Sequence, residues 1–240
     1  MSLTFDSVKT ILNSADIGKE WAACAPRLSE LCRVEDGKTG GVNPGDRRAL
    51  FYLVRAFRPA KVLEIGTHVG MSTLHICAAL ACHTRSQPPC LITVDIEDVN
   101  DGALASWKKA GLAKSPKQLL EEFTDKVEIA FVVNDSRHFF ADNKERFDFI
   151  FLDGDHAAET VYDEIISSLD VINEKGLLVL HDYFPDGRPL WSDGSLVCGP
   201  FTAVEEVRAS GIAIKVVPLG ALPWPTKLGS HVTSLALIAR

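Results

Sequence analysis

Residues 61–73, KVLEIGTHVGMST, constrain the fold of this chain more than any other stretch. Val62, Leu63 and Ile65 make a short apolar run interrupted only by Glu64, the pattern of a strand buried on both faces. A turn containing Gly66 and Gly70 follows. Ser72 and Thr73 then stand where a helix begins, ahead of the apolar positions Leu74, Ile76, Cys77 and Leu80. Strand, glycine turn and helix start together make a nucleotide-binding corner. Glycine lets the backbone approach a ligand, and the first N–H groups of a helix have no partner within it.

The glycine spacing narrows the ligand. A dinucleotide site uses G-x-G-x-x-G, whose middle glycine lets the backbone touch a pyrophosphate. Here the spacing is G-x-x-x-G, with His68 at the middle position. A ligand without phosphates needs no such contact, and Glu64 offers an acceptor suited to an amine or a hydroxyl. The corner, with Thr67 and His68 in its turn, therefore points to S-adenosylmethionine rather than to NAD.

The same alternation of buried strand and helix continues downstream. Residues 91–95, LITVD, form a second buried strand ending in Asp95, a candidate acceptor for ribose hydroxyls; the competing reading is a helix cap or a solvated loop acid. Residues 100–126 predict a helix broken at Gly111 and Pro116. A third strand, 127–133, leads to Asn134, Asp135 and Ser136, where polar side chains suit an adenine amine. Equally, Asp135 or Ser136 can cap the next helix. Residues 147–153 and 176–183 are a fourth and a fifth strand, apolar until Asp153 and until His181 and Asp182. A helix at 201–209, strands at 212–217 and 231–238 and a turn around 223–225 complete the pattern. Such alternation implies right-handed crossovers and one parallel sheet with ligands at the carboxyl ends of its strands.

The flanking segments carry less chemistry. Residues 1–34 read as two helices packed on a sheet edge or against a second subunit. Residues 35–46 are rich in glycine and charge and predict a loop, after which Asp46 can cap a helix running through Leu50, Leu53, Val54 and Phe57. The 240 residues suit one α/β domain, with a helical preface at 1–45 and a substrate-side loop at 184–200. Phe184 and Trp191 in that loop offer an apolar face to a substrate, or pack within the loop. A net charge of −7 without a basic run argues against nucleic acid. No apolar run approaches the ~20 residues that span a bilayer, and the acid-bearing amphipathic N-terminus resembles no targeting peptide; a cytoplasmic protein without a membrane partner is expected. Six cysteines include no C-x-x-C pair. Cys77, Cys82, His83 and Cys90 match no common zinc spacing, so reduced thiols are expected.

Titratable groups crowd two strand tips: Asp153, Asp155 and His156 on one, His181 and Asp182 on the other. Neighbouring strands lie ~5 Å apart, so side chains from both tips reach one ion. Asp153, His181 and Asp182 are a candidate ligand set for Mg²⁺ or another divalent cation, the imidazole widening the choice towards Mn²⁺, Fe²⁺ or Zn²⁺. The competing reading is one helix-capping acid among solvated charges.

In order and spacing, VLEIGTHVGMST, ITVDIED, FIFLDGDH and GLLVLHDY resemble the class I S-adenosylmethionine-dependent methyltransferases, and more narrowly the catechol and caffeoyl-coenzyme A O-methyltransferases with their bacterial relatives. The resemblance spans about residues 45–183. It implies a doubly wound, Rossmann-like α/β domain, its seven-stranded sheet mostly parallel with an antiparallel C-terminal strand. It also implies a homodimer and a small-molecule phenol, catechol or sugar hydroxyl as substrate. Glu64, Gly66 and Ser72 would surround the methionine part of the cofactor, with Thr67, His68 and Gly70 completing the corner. Asp95 would hold the ribose, Asp135 or Ser136 the adenine edge, and Asp153 and Asp182 the metal. The general base, usually a lysine three residues after the first aspartate, falls on His156, and imidazole titrates near neutrality. Without a metal, His156 or Asp155 would activate the hydroxyl alone. Two positions depart from the pattern: Tyr183 replaces an asparagine, and His181 stands where antibiotic-modifying relatives bear an acid. The rival readings are an NAD-dependent oxidoreductase, a non-catalytic S-adenosylmethionine-binding module and a nucleic-acid methyltransferase.

Overall fold

A computed structural model describes residues 4–33, 41–83, 85–104 and 106–240; most of the loop expected at 35–46 lies outside them. The chain opens with α1 (Phe5–Leu12), α2 (Ala15–Leu31) and α3 (Pro44–Phe57). Thr4 and Ser7 close a capping box on α1, and Ser14 caps α2. The alternating part follows: β1 (Lys61–Ile65), α4 (Met71–Ala81), β2 (Cys90–Asp95), α5 (Ser106–Lys109), α6 (Pro116–Leu120), β3 (Glu128–Val133), α7 (Ser136–Asp142), β4 (Phe147–Leu152), α8 (Ala158–Val171) and β5 (Ile172–Leu180). The chain closes with α9 (Gly199–Ala209), β6 (Lys215–Pro218) and β7 (Ala236–Ala239).

The seven strands form one sheet in the order β3-β2-β1-β4-β5-β7-β6. Every pair from β3 to β5 is parallel, and β7 alone runs against its neighbours, as the sequence resemblance implied. Strand order reverses between β1 and β4, and ligands of open α/β sheets bind at such a switch point. The register pairs Ile65 with Leu152 and Leu152 with Leu180, which sets Gly66, Asp153 and His181 side by side at the carboxyl edge.

Both faces of the sheet are covered, which is why its strands read as nearly continuous apolar runs. On β4, Phe149 and Phe151 pack towards α3 and α4, and Phe147, Ile150 and Leu152 pack towards α8 and α9. Each of these side chains is buried, contributing ~1.5–3 kcal/mol from area removed from water. Val8, Leu12, Leu28 and Leu31 of α1 and α2 join the first of these cores, lying over α3 and α4 rather than along a sheet edge.

Local chemistry moved several expected boundaries. The cap of α3 is Asn43, whose Oδ1 accepts from the N–H groups of Gly45 and Asp46; Asp46 lies inside the first turn and is fully buried. The helix expected over 100–126 resolves into two short pieces, because Gly111 takes φ +79° and α6 starts afresh at Pro116 behind its own Ser115 capping box. β5 begins at Ile172, before 176, and β7 is shorter than the expected 231–238. Thr226 accounts for the shortening: its hydroxyl donates to the Val232 carbonyl and its N–H to the Ser230 carbonyl, folding this segment back on itself. Among the described residues no helix is long and apolar enough to cross a membrane.

Candidate active site

A cavity of about 1190 Å³ opens over the carboxyl ends of the parallel strands. Its floor is the glycine corner. Gly66 takes φ +94°, and a Cβ there would overlap the Asp153 carbonyl, so only glycine lets β1 and β4 close so tightly at their tips. Asp95 at the end of β2 holds the turn. Its Oδ2 accepts from the N–H groups of Thr67 (3.1 Å) and His68 (2.8 Å), and its Oδ1 accepts from the Glu97 N–H (3.0 Å). His68 is exposed on the cavity wall in a left-handed conformation with φ +47°. Ser72, in the first turn of α4, is buried and also lines the cavity.

Two residues expected against the cofactor lie below this surface. Gly70 takes φ +78° at the N-terminus of α4 and faces Pro116. Glu64 is fully buried, and its Oε2 accepts from Thr73 (2.6 Å) and Thr93 (2.7 Å). Thr93 spends its one proton on Glu64, so Thr67 donates to Thr93 at 2.6 Å, and a hydroxyl chain ties the turn to the buried acid. Burial pushes the Glu64 carboxyl up to about 7, against the bonds from Ser72, Thr73 and Thr93 that favour its ionised form.

The far side of the cavity is set by β3, β4 and α8. Asp135 caps α7, accepting from the N–H groups of Arg137 (2.9 Å) and His138 (3.3 Å), while Ser136 lines the wall. Glu164 joins them from α8, buried to 2 % exposure, its carboxyl pushed up to about 7 by burial. The sequence reading passed over Glu164. Its signal was available: an acid next to Ile165 and three residues after Val161, on a helix face that is otherwise apolar.

The strand tips meet as their sequence positions suggested. One ligand atom each of Asp153, His181 and Asp182 lies within 4.8 Å of the others. His181 is buried, with Nδ1 at 2.8 Å from Asp153 Oδ1 and 3.5 Å from Asp182 Oδ1, and Nε2 at 3.3 Å from Asp46 Oδ2. Burial alone would lower the pKa of this imidazole; the charges and bonds of Asp153, Asp46 and Asp182 outweigh it and hold it well above the usual histidine range. Asp182 takes φ +50°, and the Ser234 hydroxyl donates to its Oδ1 at 3.3 Å. Tyr183 consequently turns away into the core against Phe201, so the position of the missing asparagine offers no ligand. Two carboxylates and one imidazole nitrogen are a donor set that fits a divalent cation.

His156 stands half-exposed at the rim, its Nε2 3.5 Å from Asp182 Oδ2. The Asp155 carboxylate is engaged locally, accepting from the N–H groups of His156 (2.7 Å) and Ala157 (3.2 Å), and bonds to Thr160, His156 and Ala157 hold it below the usual carboxylate range. Gly199 lets α9 seat on this loop, since a Cβ there would overlap the His156 carbonyl. Trp191 closes the opposite wall, stacked edge-on against Phe184 and overlaid by Lys227; Phe184 itself lies in the core behind it. Among the described residues of the N-terminal part, Gly41, Val42, Asn43 and Pro44 reach the cavity, and α1 and α2 do not.

A volume of about 1190 Å³ exceeds the ~300–1,000 Å³ of ordinary ligand sites and leaves room for a nucleoside-sized cofactor beside a second molecule. The comparisons agree. The family model described as "Methyltransferase domain" matches residues 63–183, just over half of the chain. No curated protein matches the sequence. Among solved structures, the chain is similar to an O-methyltransferase from Bacillus cereus in complex with SAH, at 17% identity and TM-score 0.54, over 95% of this chain and 92% of that one. It is similar to the O-methyltransferase TomG from Streptomyces achromogenes, involved in tomaymycin synthesis and in complex with SAM, at 17% identity and TM-score 0.55, over 94% and 89%. The SAH-bound methyltransferase PaMTH1 of Podospora anserina matches at 15% identity and TM-score 0.55, over 99% and 97%. With the sheet order, the glycine corner and the family match in agreement, the chain belongs to the methyltransferase-domain family of class I S-adenosylmethionine-dependent methyltransferases.

Proposed function

We propose that the protein transfers a methyl group from S-adenosylmethionine to a hydroxyl of a small molecule, a phenol, a catechol or a sugar. The observation that carries this reading is the placement of His156 at the cavity rim, 3.5 Å from Asp182, beside the acid-bearing tips of β4 and β5. When bound, the cofactor supplies an electrophilic methyl group on a cationic sulfur.

The chain's own residues do the rest. The corner from Gly66 to Ser72 receives the methionine part, with Glu64 and Gly70 supporting it from below, and Asp95 takes the ribose hydroxyls while holding the turn. Asp135, Ser136 and the buried Glu164 face the base. Trp191 supplies an apolar wall against which a substrate ring is oriented. His156 removes the hydroxyl proton, and Asp182 stabilises the charge that the imidazole gains. Asp153, His181 and Asp182 would hold a divalent cation, which supplies positive charge that favours the ionised hydroxyl.

The test is a methyl-transfer screen over catechols, flavonoids and sugar hydroxyls, read as S-adenosylhomocysteine release, with His156→Ala as control. General-base removal is expected to lower kcat by ~10²–10⁴ while leaving cofactor affinity unchanged. Full activity of His156→Ala on a turned-over substrate would refute the assignment. Calorimetric binding of NADH without S-adenosylmethionine would refute the cofactor.

A further inference from the structure

Asp46 has no place in the chemistry so far, yet burying an acid at its position is costly. It is fully buried in the first turn of α3, and its Oδ1 has no partner. Its Oδ2 accepts from Asn43 Nδ2 at 2.7 Å and faces His181 Nε2 at 3.3 Å. A buried carboxylate left half satisfied is destabilising by several kcal/mol. Capping does not explain it, because Asn43 caps α3.

The direction of the two ring nitrogens does. With Nε2–H donated to Asp46, the imidazole of His181 is fixed with Nδ1 pointing at Asp153 and Asp182. Histidines that ligate metals commonly donate their other N–H to a carboxylate, which fixes the ring and raises its basicity. The same logic extends to Asp182, which Ser234 holds by a hydroxyl bond. Two outer partners, from the start of α3 and from the segment before β7, therefore orient two of the three inner groups.

We propose that Asp46 is the positioning residue of a divalent-cation centre formed by Asp153, Asp182 and Nδ1 of His181, and that the imidazole makes this centre prefer Mn²⁺ to Mg²⁺. Oxygen-only sites with several waters suit Mg²⁺, whereas an imidazole ligand favours the later first-row ions, and Mn²⁺ accepts both. Cation binding exchanges the Nδ1–H···Asp153 bond for an Nδ1–metal bond, the ring proton passing to solvent, and leaves the Asp46 bond in place. The inference rests on reading this cavity as the methyl-transfer site, but metal binding is measurable without substrate, so the two fail separately.

The experiment is titration of the metal-free full chain with Mn²⁺, followed by loss of the free-ion electron paramagnetic resonance signal, with Mg²⁺ added as competitor. One Mn²⁺ per chain is expected, with Mg²⁺ at least ~10-fold weaker. Asp46→Ala should weaken Mn²⁺ by ~10–100-fold, the range found for outer-shell partners. Asp46→Asn keeps the volume and should show a smaller loss in the same direction, covering the case in which the alanine variant does not fold. His181→Ala should remove the preference for Mn²⁺ over Mg²⁺. Absence of Mn²⁺ binding to the wild type, or unchanged Mn²⁺ affinity in a folded Asp46 variant, overturns the proposal. Methyl transfer by a protein that binds no Mn²⁺ would leave the enzymatic reading standing and remove only the metal centre.

Discussion

Glu64→Gln gives the most quantitative test of how the corner is built. Glu64 lies fully buried beneath the glycine turn, and burial raises its carboxyl from 4.5 to about 7. A raised acid adds stability that is fully present below the unfolded value and disappears as pH rises through the folded one, because the unfolded chain ionises freely and the buried group resists. Between pH 5 and pH 8 the two values predict a loss of ~2–3 kcal/mol attributable to this residue. That is a large share of the ~5–15 kcal/mol that holds a typical domain folded. Glutamine keeps an oxygen to accept from Thr73 and Thr93 and cannot ionise. Urea denaturation of both proteins without cofactor at pH 5 and pH 8 measures the difference. The comparison between proteins is essential, since His75, which burial lowers to about 3, shifts stability in the opposite direction on its own. The variant should gain ~2–3 kcal/mol on the wild type over this interval. A difference that stays constant with pH, or that moves against the variant, would show that Glu64 is ionised in the folded protein.

Three further outcomes follow from the same geometry. Gly66→Ala forces a side chain into the Asp153 carbonyl at φ +94°; at least ~2 kcal/mol of stability should be lost, with cofactor affinity, read by thermal shift and calorimetry. Asp95→Asn replaces a charged acceptor of three backbone N–H groups by a neutral side chain and should weaken cofactor binding by ~10–100-fold without changing the far-ultraviolet spectrum. Phe151→Ala empties a fully buried site between the sheet and α3 and α4 and should cost ~3–5 kcal/mol in denaturant titration.

Much of this structure was legible in the amino-acid order. Apolar runs of strand length, each closing on a polar residue, determined the parallel sheet, and the G-x-x-x-G turn after the first of them determined where the backbone forms the floor of the cavity. Asp95, Asp153 and Asp182 could be placed at one edge because a strand delivers its last residue there whatever the packing. Side-chain direction was not legible. Glu64 and Ser72 read alike as corner residues, yet one lies beneath the turn and the other on the cavity wall. Tyr183 follows Asp182 directly, and only the positive φ of Asp182 shows that it turns into the core.

The sequence by itself determined which strand tips bear acids, because burial on both faces keeps the strands largely apolar and leaves the acids that close them conspicuous. Tertiary structure decided what those acids meet. Asp46 stands 135 residues before His181 and lies near it only because α3 packs across the sheet beside β4 and β5. A local pattern can assign such an acid to nothing but the nearest helix start, since the imidazole it faces is a long-range contact with no signature in spacing.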